Sequence, residues 1–207
     1  MCKNVNLFLK RIFDIIFRIF GVIILMPVTL VIFIINLLNK QRKIFYIQER
    51  IGKNGKSFKM LKFNSMVDNA DKVLEKYLKE NESAAKEYKK YKKIKNDPRI
   101  TKVGAFLRRT SLDELPQVIN VVKGDMSLIG PRPYLPREKG DMDKYYKIIT
   151  SVKPGLTGPW QVSGRNSVPF RERLSLESRY ADKNNIFMDS IIILKTAKTI
   201  FEQKGAF

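Results

Sequence analysis

One long apolar run near the amino terminus constrains this chain more than any other feature. Residues Ile19–Asn39 read IFGVIILMPVTLVIFIINLLN and contain no charged side chain. The run is about as long as a helix must be to cross the hydrocarbon core of a bilayer. A cleaved signal peptide has a shorter apolar stretch followed by small residues, a pattern that is missing here. The chain is therefore expected to meet a membrane.

Pro27 interrupts this run, and basic residues flank it on both sides. Proline removes a backbone donor and clashes with the preceding turn, so it kinks or ends a helix. The positive-inside rule separates a basic side from a less basic one, whereas both flanks here are typical of the cytoplasmic side. A re-entrant hairpin that bends at Pro27 explains both observations. An ordinary kinked span is the alternative, because membrane helices tolerate proline.

The charge and residue content exclude several kinds of chemistry. The 207 residues include 40 Lys and Arg, 20 Asp and Glu, no histidine and one cysteine, giving a formal net charge of +20. This charge favours a polyanionic partner: nucleic acid, an anionic membrane or a phosphorylated substrate. The absence of histidine excludes Ser-His-Asp and Cys-His nucleophiles and histidine-ligated metals. Cys2 alone cannot form an internal disulfide or a thiolate zinc cluster, whereas an oxygen-liganded Mg²⁺ is compatible.

Local patterns predict a β-hairpin followed by a long helix. Ile44–Ile51 and Ser57–Met66 flank Lys53-Asn54-Gly55-Lys56, and Asn-Gly between two strand-like runs is a strong turn signal. Val67–Asn96 has apolar residues at helical spacing and is predicted to be one polar helix. Its basic end is interpreted as a solvated face, with contact to an anionic membrane surface as the alternative.

The carboxyl-terminal part is predicted to be a loop followed by two helices. Lys153–Asn166 is rich in glycine and proline and is predicted to be a loop. Phe170–Lys183 and Ile186–Gln203 are predicted helices, and the second is apolar enough to lie on a membrane. The expected fold is therefore α+β and mainly helical. It combines a small β-hairpin and surface amphipathic helices with a re-entrant helix-break-helix at the amino terminus.

Two adjacent acids, Asp113 and Glu114, lie in the run Asp97–Pro133, which reads DPRITKVGAFLRRTSLDELPQVINVVKGDMSLIGPRP. An acid pair with cations around it suits work on a phosphate ester, because aspartate can attack phosphorus and form an acyl phosphate. At a helix start the dipole would keep Asp113 ionised as a nucleophile or metal ligand. A structural interpretation competes for Glu114, which has the spacing of a capping-box partner of Ser111.

Four further side chains are candidates for the same site. Arg132 lies between two prolines, which stiffen the backbone and would hold a guanidinium on a phosphate. Arg165 follows a glycine, which allows a ligand to approach the backbone closely. Lys62 lies on the second predicted strand, where a solvated strand face is the alternative. Asp189 is an acid in an apolar helix, which indicates a partner or a metal, or else a helix-terminal acid.

Several long stretches resemble the bacterial sugar transferases, which are monotopic phosphoglycosyl transferases that act on polyprenyl phosphate. The resemblance covers nearly the whole chain. It implies transfer of a sugar-1-phosphate from a UDP-sugar to undecaprenyl phosphate with release of UMP, the first membrane step of O-antigen, capsule or glycoprotein glycan assembly. It also implies a re-entrant anchor over residues 1–43 and a catalytic domain over residues 44–207, on the cytoplasmic face of the bacterial inner membrane. The stretches are KRIFDIIFRIFGVIILMP, IFYIQERIGKNGKSFKMLKFNSM, ITKVGAFLRRTSLDELPQVINVVKGDMSLIGPRP, VKPGLTGPWQVSGRN and DSIIILKT.

The motifs of this family imply a role for each candidate residue. Its Asp-Glu dyad falls on Asp113 and Glu114. Asp113 would form the covalent phosphosugar intermediate and bind Mg²⁺, and Glu114 would act as an acid/base or orient the site. The other matched positions, which would bind the substrate phosphates or support the site, are Lys62, Arg132, Arg165 and Asp189.

Two positions depart from the family pattern, and the sugar is left open. Asn64 replaces the usual arginine after Lys62-Phe63, and Met26 replaces a small residue or serine before the membrane proline. Galactose or glucose is the favoured sugar, from the Trp160–Asn166 stretch and the Gly205-Ala206-Phe207 ending. The alternatives are an N-acetylated amino sugar, or a non-catalytic membrane scaffold. The implied partners are a UDP-sugar, undecaprenyl phosphate, membrane lipid and downstream glycosyltransferases, whereas nucleic acid is not expected, because the chain has no base-reading motif.

Overall fold

Helices dominate the fold, and two small sheets join them. The computed structural model describes residues 23, 26–35, 43–91, 94, 96–164 and 168–202. Within these ranges the α+β, mainly helical prediction is confirmed. The strands are β1 (Phe45–Ile51), β2 (Ser57–Phe63), β3 (Ser127–Ile129) and β4 (Gly155–Thr157). The helices are α1 (Ala70–Glu80), α2 (Glu82–Tyr91), α3 (Lys102–Arg109), α4 (Gln117–Lys123), α5 (Lys139–Met142), α6 (Tyr145–Ile149), α7 (Pro159–Val162), α8 (Phe170–Lys183) and α9 (Ile186–Glu202).

A helical segment over residues 26–35 packs one side on the rest of the protein. Ile32 is buried against Phe63 and Leu107, whereas Met26 and Leu30 are exposed. Pro27 is helical in this segment, but residues 24 and 25 and most of the other half of the predicted hairpin lie outside the described residues. In the part of the chain that the structure describes, no helix has both the length and the apolar character needed to cross a bilayer.

The predicted β-hairpin is present. Strands β1 and β2 are antiparallel, with Phe45 opposite Phe63. The turn places Asn54 at φ 56° and Gly55 at φ 76°, a left-handed conformation that asparagine and glycine adopt most readily. The second strand ends before the predicted Met66, because the Asn64 Oδ1 accepts a hydrogen bond from the Met66 backbone N–H at 3.3 Å and turns the chain.

The prediction of a single helix over Val67–Asn96 is wrong. The chain forms α1 and α2, and Asn81 separates them with an extended backbone at φ −131° and ψ 97°. The Asn81 side chain donates to the Tyr77 carbonyl oxygen at 3.3 Å, a local bond that competes with helix continuation. Leu74 on α1 and Ala84 on α2 are buried in one cluster. The apolar positions therefore close a small core between two helices.

The predicted loop Lys153–Asn166 contains regular structure that the sequence pattern did not indicate. Strand β4 pairs in parallel with β3, and α7 follows it. A side chain on Gly155 would collide with the Gly130 backbone, so glycine is required for this close approach. The pairing brings Gly130 and Pro131 beside β4, because Gly130 donates to the Thr157 carbonyl oxygen and Pro131 accepts from the Gly155 N–H. The two closing helices are confirmed as α8 and α9.

Helix α3 lies directly on the connection that follows β2. The Thr101 hydroxyl caps the helix by accepting from the Gly104 N–H at 2.9 Å, as threonine does at many helix starts. A Cβ atom added to Gly104 would collide with the Ser65 carbonyl oxygen, whereas one added to Gly140 would meet no atom within 4 Å. The two helical glycines therefore offer the same substitution in opposite surroundings.

We expect Gly104→Ala to destabilise the protein by about 1–3 kcal/mol, because the backbone of Ser65 must move. This corresponds to a fall of roughly 2–12 °C in melting temperature. Gly140→Ala is the matched control and should be neutral or stabilising by up to about 1 kcal/mol, since alanine favours a helix over glycine. Thermal unfolding of the purified variants measures both. Equal melting temperatures for the two variants would contradict the close packing at Gly104.

Candidate active site

The acid pair lies in a short 3-10 turn, Leu112–Glu114, between α3 and α4. Helix α4 is fixed to β2 by Asn120, whose side-chain N–H donates to the Lys59 carbonyl oxygen at 2.8 Å. Its Oδ1 accepts from the Leu61 N–H at 3.0 Å. The Asn120 amide thus supplies β2 with a donor and an acceptor, as a neighbouring strand would. The turn is held beside β2 as a result.

This arrangement brings two of the predicted site residues together. The Lys62 Nζ donates to the Glu114 Oε1 at 2.8 Å, and the side chains keep 22% and 36% of their surface exposed. Ion pairs this exposed contribute only about 0–1 kcal/mol to stability. The pair therefore matters more for the geometry of the site than for the free energy of unfolding.

The capping interpretation of Glu114 is wrong. Ser111 has a left-handed backbone at φ 58° and makes no side-chain capping hydrogen bond, while the Glu114 carboxylate binds Lys62. The acids also precede α4, which begins at Gln117. A helix dipole acts within the first turn, so the predicted dipole effect on Asp113 does not apply to this short turn.

Asp113 lies between a guanidinium and an apolar cluster. It is buried, with 8% of its surface exposed. Leu112 and Leu115, which flank the pair, pack on the cluster that contains Ile32. Burial lowers the pKa of Arg108, and the negative charge of Asp113 acts in the opposite direction. This attraction is mutual, because the positive charge of Arg108 also favours the negatively charged form of Asp113.

Asn64, which stands where the resemblance implies an arginine, bonds the backbone of Met66 next to it and that of Ile44 across the hairpin. Its N–H donates to the Ile44 carbonyl oxygen at 2.8 Å. The Arg108 Nε donates to the hydroxyl of the adjacent Ser65 at 2.9 Å. A guanidinium therefore lies next to this segment, although it comes from α3.

The Pro131-Arg132-Pro133 segment is bound from both sheets. The Pro131 carbonyl oxygen accepts from the Gly155 N–H at 2.8 Å. The Pro133 carbonyl oxygen accepts from the Arg50 Nη1 at 2.9 Å. Its backbone is thus fixed independently of the Arg132 side chain.

The Arg132 guanidinium lies over the ring of Trp160, at 4.7 Å from Cζ to the ring centroid. Arg173 lies over the same ring at 4.3 Å, and such cation–π contacts are strongest with tryptophan. Burial lowers the pKa of Arg173 to about 10, and the like charge of Arg132 adds to this shift. Arg173 therefore remains cationic at neutral pH.

The side chain of Glu177, on α8, binds the Pro-Arg-Pro segment from the protein interior. It is fully buried. Its Oε1 accepts from the Arg132 N–H at 3.0 Å, and its Oε2 accepts from the Tyr134 hydroxyl at 2.5 Å. Burial raises the pKa of Glu177 to about 7, although both hydrogen bonds and the nearby guanidinium groups oppose that shift.

Arg50 connects the two halves of the site. It is buried and lies at the end of β1. Burial lowers its pKa to about 9, the charge of Arg132 adds to this shift, and the charge of Glu114 opposes it. The Arg50 guanidinium therefore interacts electrostatically with Arg132 of the Pro-Arg-Pro segment and with Glu114 of the acid pair. The two halves of the site thus share one electrostatic environment.

Sequence reasoning missed Arg50, Tyr134, Arg173 and Glu177. A usable signal exists on α8, where charged residues occupy the same helical stripe as apolar ones. The buried residues of this helix are Phe170, Arg173, Leu174, Glu177, Ser178, Tyr180 and Ala181. Charged side chains at core positions are rarely tolerated unless they are paired, so the stripe indicates a buried charge network.

The remaining predicted residues have different outcomes. Asp189 is buried in the first turn of α9, and it accepts from the Tyr180 hydroxyl at 2.6 Å. It therefore has a protein partner. Arg165 lies outside the described residues. Among the residues that are described, no cluster of three or more acids, histidines or cysteines is arranged to hold a metal.

We expect Glu177 to make the stability of the protein depend on pH. Its pKa is raised from 4.5 to about 7 in the folded protein. Because the folded state holds the proton more tightly than the unfolded state, folding is favoured at low pH. That stabilisation, about 3 kcal/mol, should be lost as the pH rises from 4.5 to 7. The groups that face this carboxyl are Tyr134, Arg132 and Arg173. Glu177→Gln should remove this part of the slope in melting temperature against pH. Glu172→Gln, at an exposed position of the same helix, is the control, and parallel curves for wild type and Glu177→Gln would contradict the prediction.

Curated relatives match the chain over nearly its whole length. An exopolysaccharide production protein, ExoY, from Sinorhizobium fredii is 38% identical over 96% of this chain and 88% of that protein. The undecaprenyl-phosphate galactose phosphotransferase of Salmonella typhimurium is 44% identical over 100% of this chain and 43% of that protein. A UDP-galactose-lipid carrier transferase from Erwinia amylovora is 43% identical, again over 43% of its length. The chain thus spans less than half of the two galactose enzymes.

The family comparison agrees with these relatives. The model of the bacterial sugar transferase family matches residues 5–203. That range includes the hairpin that carries Lys62, the turn with the acid pair and the Pro-Arg-Pro segment. The chain therefore belongs to the bacterial sugar transferase family.

Proposed function

We propose that this protein transfers a sugar-1-phosphate from a UDP-sugar to undecaprenyl phosphate and releases UMP. One observation carries the proposal. The turn with Asp113 and Glu114 contacts the cation Lys62 on one side and the apolar cluster of segment 26–35 on the other. A reaction between a nucleotide diphosphate and a lipid phosphate needs these two surroundings side by side, since one substrate comes from water and the other from the membrane.

In the first step the Asp113 carboxylate attacks the sugar-bearing phosphorus of the UDP-sugar. A bond forms between the carboxylate oxygen and phosphorus, and the bond from phosphorus to the bridging oxygen breaks. UMP leaves with that oxygen and its electron pair. The chain has no histidine, so a carboxylate is a reasonable nucleophile for this transfer. Positive charge on Lys62, Arg108 and Arg132 would stabilise the charge that develops on the phosphoryl oxygens.

In the second step an oxygen of undecaprenyl phosphate attacks the same phosphorus. The bond to Asp113 breaks, the carboxylate is regenerated and the lipid-linked diphosphate sugar leaves. Glu114, bound to Lys62 at 2.8 Å, would orient the lysine toward the phosphate and serve as an acid/base. Arg165 belongs to the proposed phosphate-binding set through its family motif.

Mg²⁺ is the metal that these residues would accept. This ion is commonly held by one or two carboxylates together with substrate phosphates rather than by an all-protein cage. Asp113 and Glu114 meet that requirement, and the described residues contain no larger acidic cluster. When bound, Mg²⁺ would neutralise charge on the diphosphate and on the leaving UMP. Asp113 is the proposed ligand.

The membrane would be the inner bacterial membrane, with the site at the cytoplasmic headgroup plane. The exposed residues of segment 26–35 are apolar, with Met26 at 73% and Leu30 at 60% exposed. Apolar surface of this kind is covered by lipid or by another protein. We propose that residues 1–43 are a re-entrant anchor bent at Pro27, and that residues 44–207 form the catalytic domain. A net charge of +20 would draw this domain to anionic lipid.

The proposed sugar is galactose or glucose. Two similar proteins are named for galactose, and another, from Escherichia coli, for glucose-1-phosphate transfer. UMP release measured with UDP-galactose, UDP-glucose and UDP-N-acetylglucosamine would decide between these hexoses and an N-acetylated amino sugar.

We expect Asp113→Asn to lower transfer by about 10³-fold or more, because the nucleophile is removed. Intact-mass measurement without the acceptor should show wild type with the mass of one added sugar phosphate and the variant without it. Asp182→Asn, at an exposed position of α8, controls for the chemical change. An Asp113→Asn protein that still releases UMP at the wild-type rate would refute the mechanism. A wild type inactive with every donor would favour a non-catalytic scaffold.

Chelation should stop the reaction if a divalent cation is required. We expect EDTA to abolish UMP release and an excess of Mg²⁺ to restore it, because the diphosphate charge would otherwise repel the Asp113 carboxylate. EDTA saturated with Mg²⁺ before addition is the control for effects on the detergent or lipid. Full activity after chelation would remove Mg²⁺ from the mechanism.

A further inference from the structure

The Pro131-Arg132-Pro133 segment has a single backbone donor. Proline has no N–H, so Arg132 carries the only amide hydrogen of the three residues. That N–H donates to the Glu177 Oε1 at 3.0 Å. A residue before proline is also confined to extended conformations. The backbone at Arg132 is therefore fixed by its two neighbours and by one buried carboxylate.

The second oxygen of this carboxylate is also used. The Tyr134 hydroxyl donates to the Glu177 Oε2 at 2.5 Å, so the carboxylate holds two residues on either side of Pro133. Glu177 has no exposed surface. Solvent therefore does not reach this carboxylate, and a buried N–H that loses its partner costs about 1–3 kcal/mol.

The charge of Glu177 acts on both guanidinium groups at the Trp160 ring. Arg132 and Arg173 have their Cζ atoms 4.7 and 4.3 Å from the ring centroid, and their like charges repel each other. Glu177 attracts both of them. Without its charge, the repulsion favours movement of the less buried Arg132 away from the ring.

We propose that Glu177 is a positioning residue for the transfer reaction. It holds the Pro-Arg-Pro segment and keeps the Arg132 guanidinium at the Trp160 ring, oriented to bind a substrate phosphate. Tyr134 is its partner in this role. The proposal rests on the proposed function in one respect, namely that Arg132 binds a phosphate of the substrate.

Tryptophan fluorescence tests the positioning directly, without any substrate. The chain has one tryptophan, and it is buried beneath both guanidinium groups. Glu177→Gln should shift its emission to longer wavelength and increase quenching by acrylamide, because Arg132 leaves the ring. Tyr180→Phe removes a comparable buried hydroxyl-to-carboxylate bond, 2.6 Å to Asp189, and should leave the emission unchanged. Unchanged emission in Glu177→Gln would overturn the proposal.

A double-mutant cycle with Arg132→Ala tests whether Glu177 acts through Arg132. In the wild-type background, Glu177→Gln should lower kcat/KM for the UDP-sugar about 10–100-fold, since a displacement of 1 Å can cost this much. In the Arg132→Ala background the same change should have almost no further effect. Equal fold-losses in both backgrounds would show a merely structural role. Tyr180→Phe serves as the control and should have the same fold-effect in both backgrounds.

A second variant keeps the proposal testable if Glu177→Gln does not fold. Tyr134→Phe removes only the hydroxyl, and it should show the same coupling to Arg132→Ala with a smaller loss. Failure of the proposed function gives a different result: wild type itself would then transfer no sugar phosphate, and the Trp160 emission would still decide whether Glu177 holds Arg132. If the wild type transfers sugar phosphate, and the variants that fold have the same kinetics and the same Trp160 emission as wild type, the positioning role is overturned and the proposed function is not.

Discussion

Two hydrogen bonds between the Asn120 amide and the β2 backbone place α4 on the edge of that strand. The position of the acid pair depends on this contact. Strand β2 has only β1 as a strand partner among the described residues, so its other edge would leave backbone groups open. Asn120 satisfies one donor and one acceptor there. The turn that precedes α4 is carried with it, which is why Glu114 reaches Lys62. The Asn120 side-chain amide makes the hydrogen bonds that a neighbouring strand would make. It thereby fixes the position of the candidate nucleophile, Asp113.

The other half of the site depends on a carboxylate whose burial is energetically costly. Glu177 has a pKa raised to about 7 because it is buried, and replacing a whole buried charge network with well-packed apolar residues is often neutral or stabilising. Retaining a buried charge is consistent with a demand for orientation, here of Arg132. Arg50 then links this half to the acid pair, because its guanidinium interacts electrostatically with Arg132 and with Glu114. Stability is exchanged for a preorganised cationic surface, as at many phosphate-binding sites.

Local signals were sufficient for the hairpin and for the helices α8 and α9. Asn54-Gly55 specifies its turn through backbone conformation alone, so the sequence pattern predicts it well. The break at Asn81 could not be predicted in this way, because the two helices pack on a small core that both of them build, and no local pattern marks that packing. The parallel pair β3 and β4 also escaped prediction, since strands this short have no periodicity to detect.

The site residues show the same division between local and distant causes. Glu114 has the spacing of a capping partner, but the left-handed backbone of Ser111 and the contact with Lys62 from β2 decide against that role. Asp113, Arg132 and Asp189 were predicted from their residue types and motifs, whereas Glu177 depends on contacts that no local window contains. Buried charges on the core stripe of a helix are the one pattern in the sequence that points to it.

The long separations within the site have a consequence for how it forms. The bond from Arg50 to Pro133 joins residues 83 positions apart, and the bond from Tyr134 to Glu177 joins residues 43 apart. Contacts so distant along the chain form late, because each must first close a long loop. On the ribosome the Pro-Arg-Pro segment emerges well before α8, and domains fold as their residues become available. The cationic half of the site is therefore completed only after synthesis has passed residue 177.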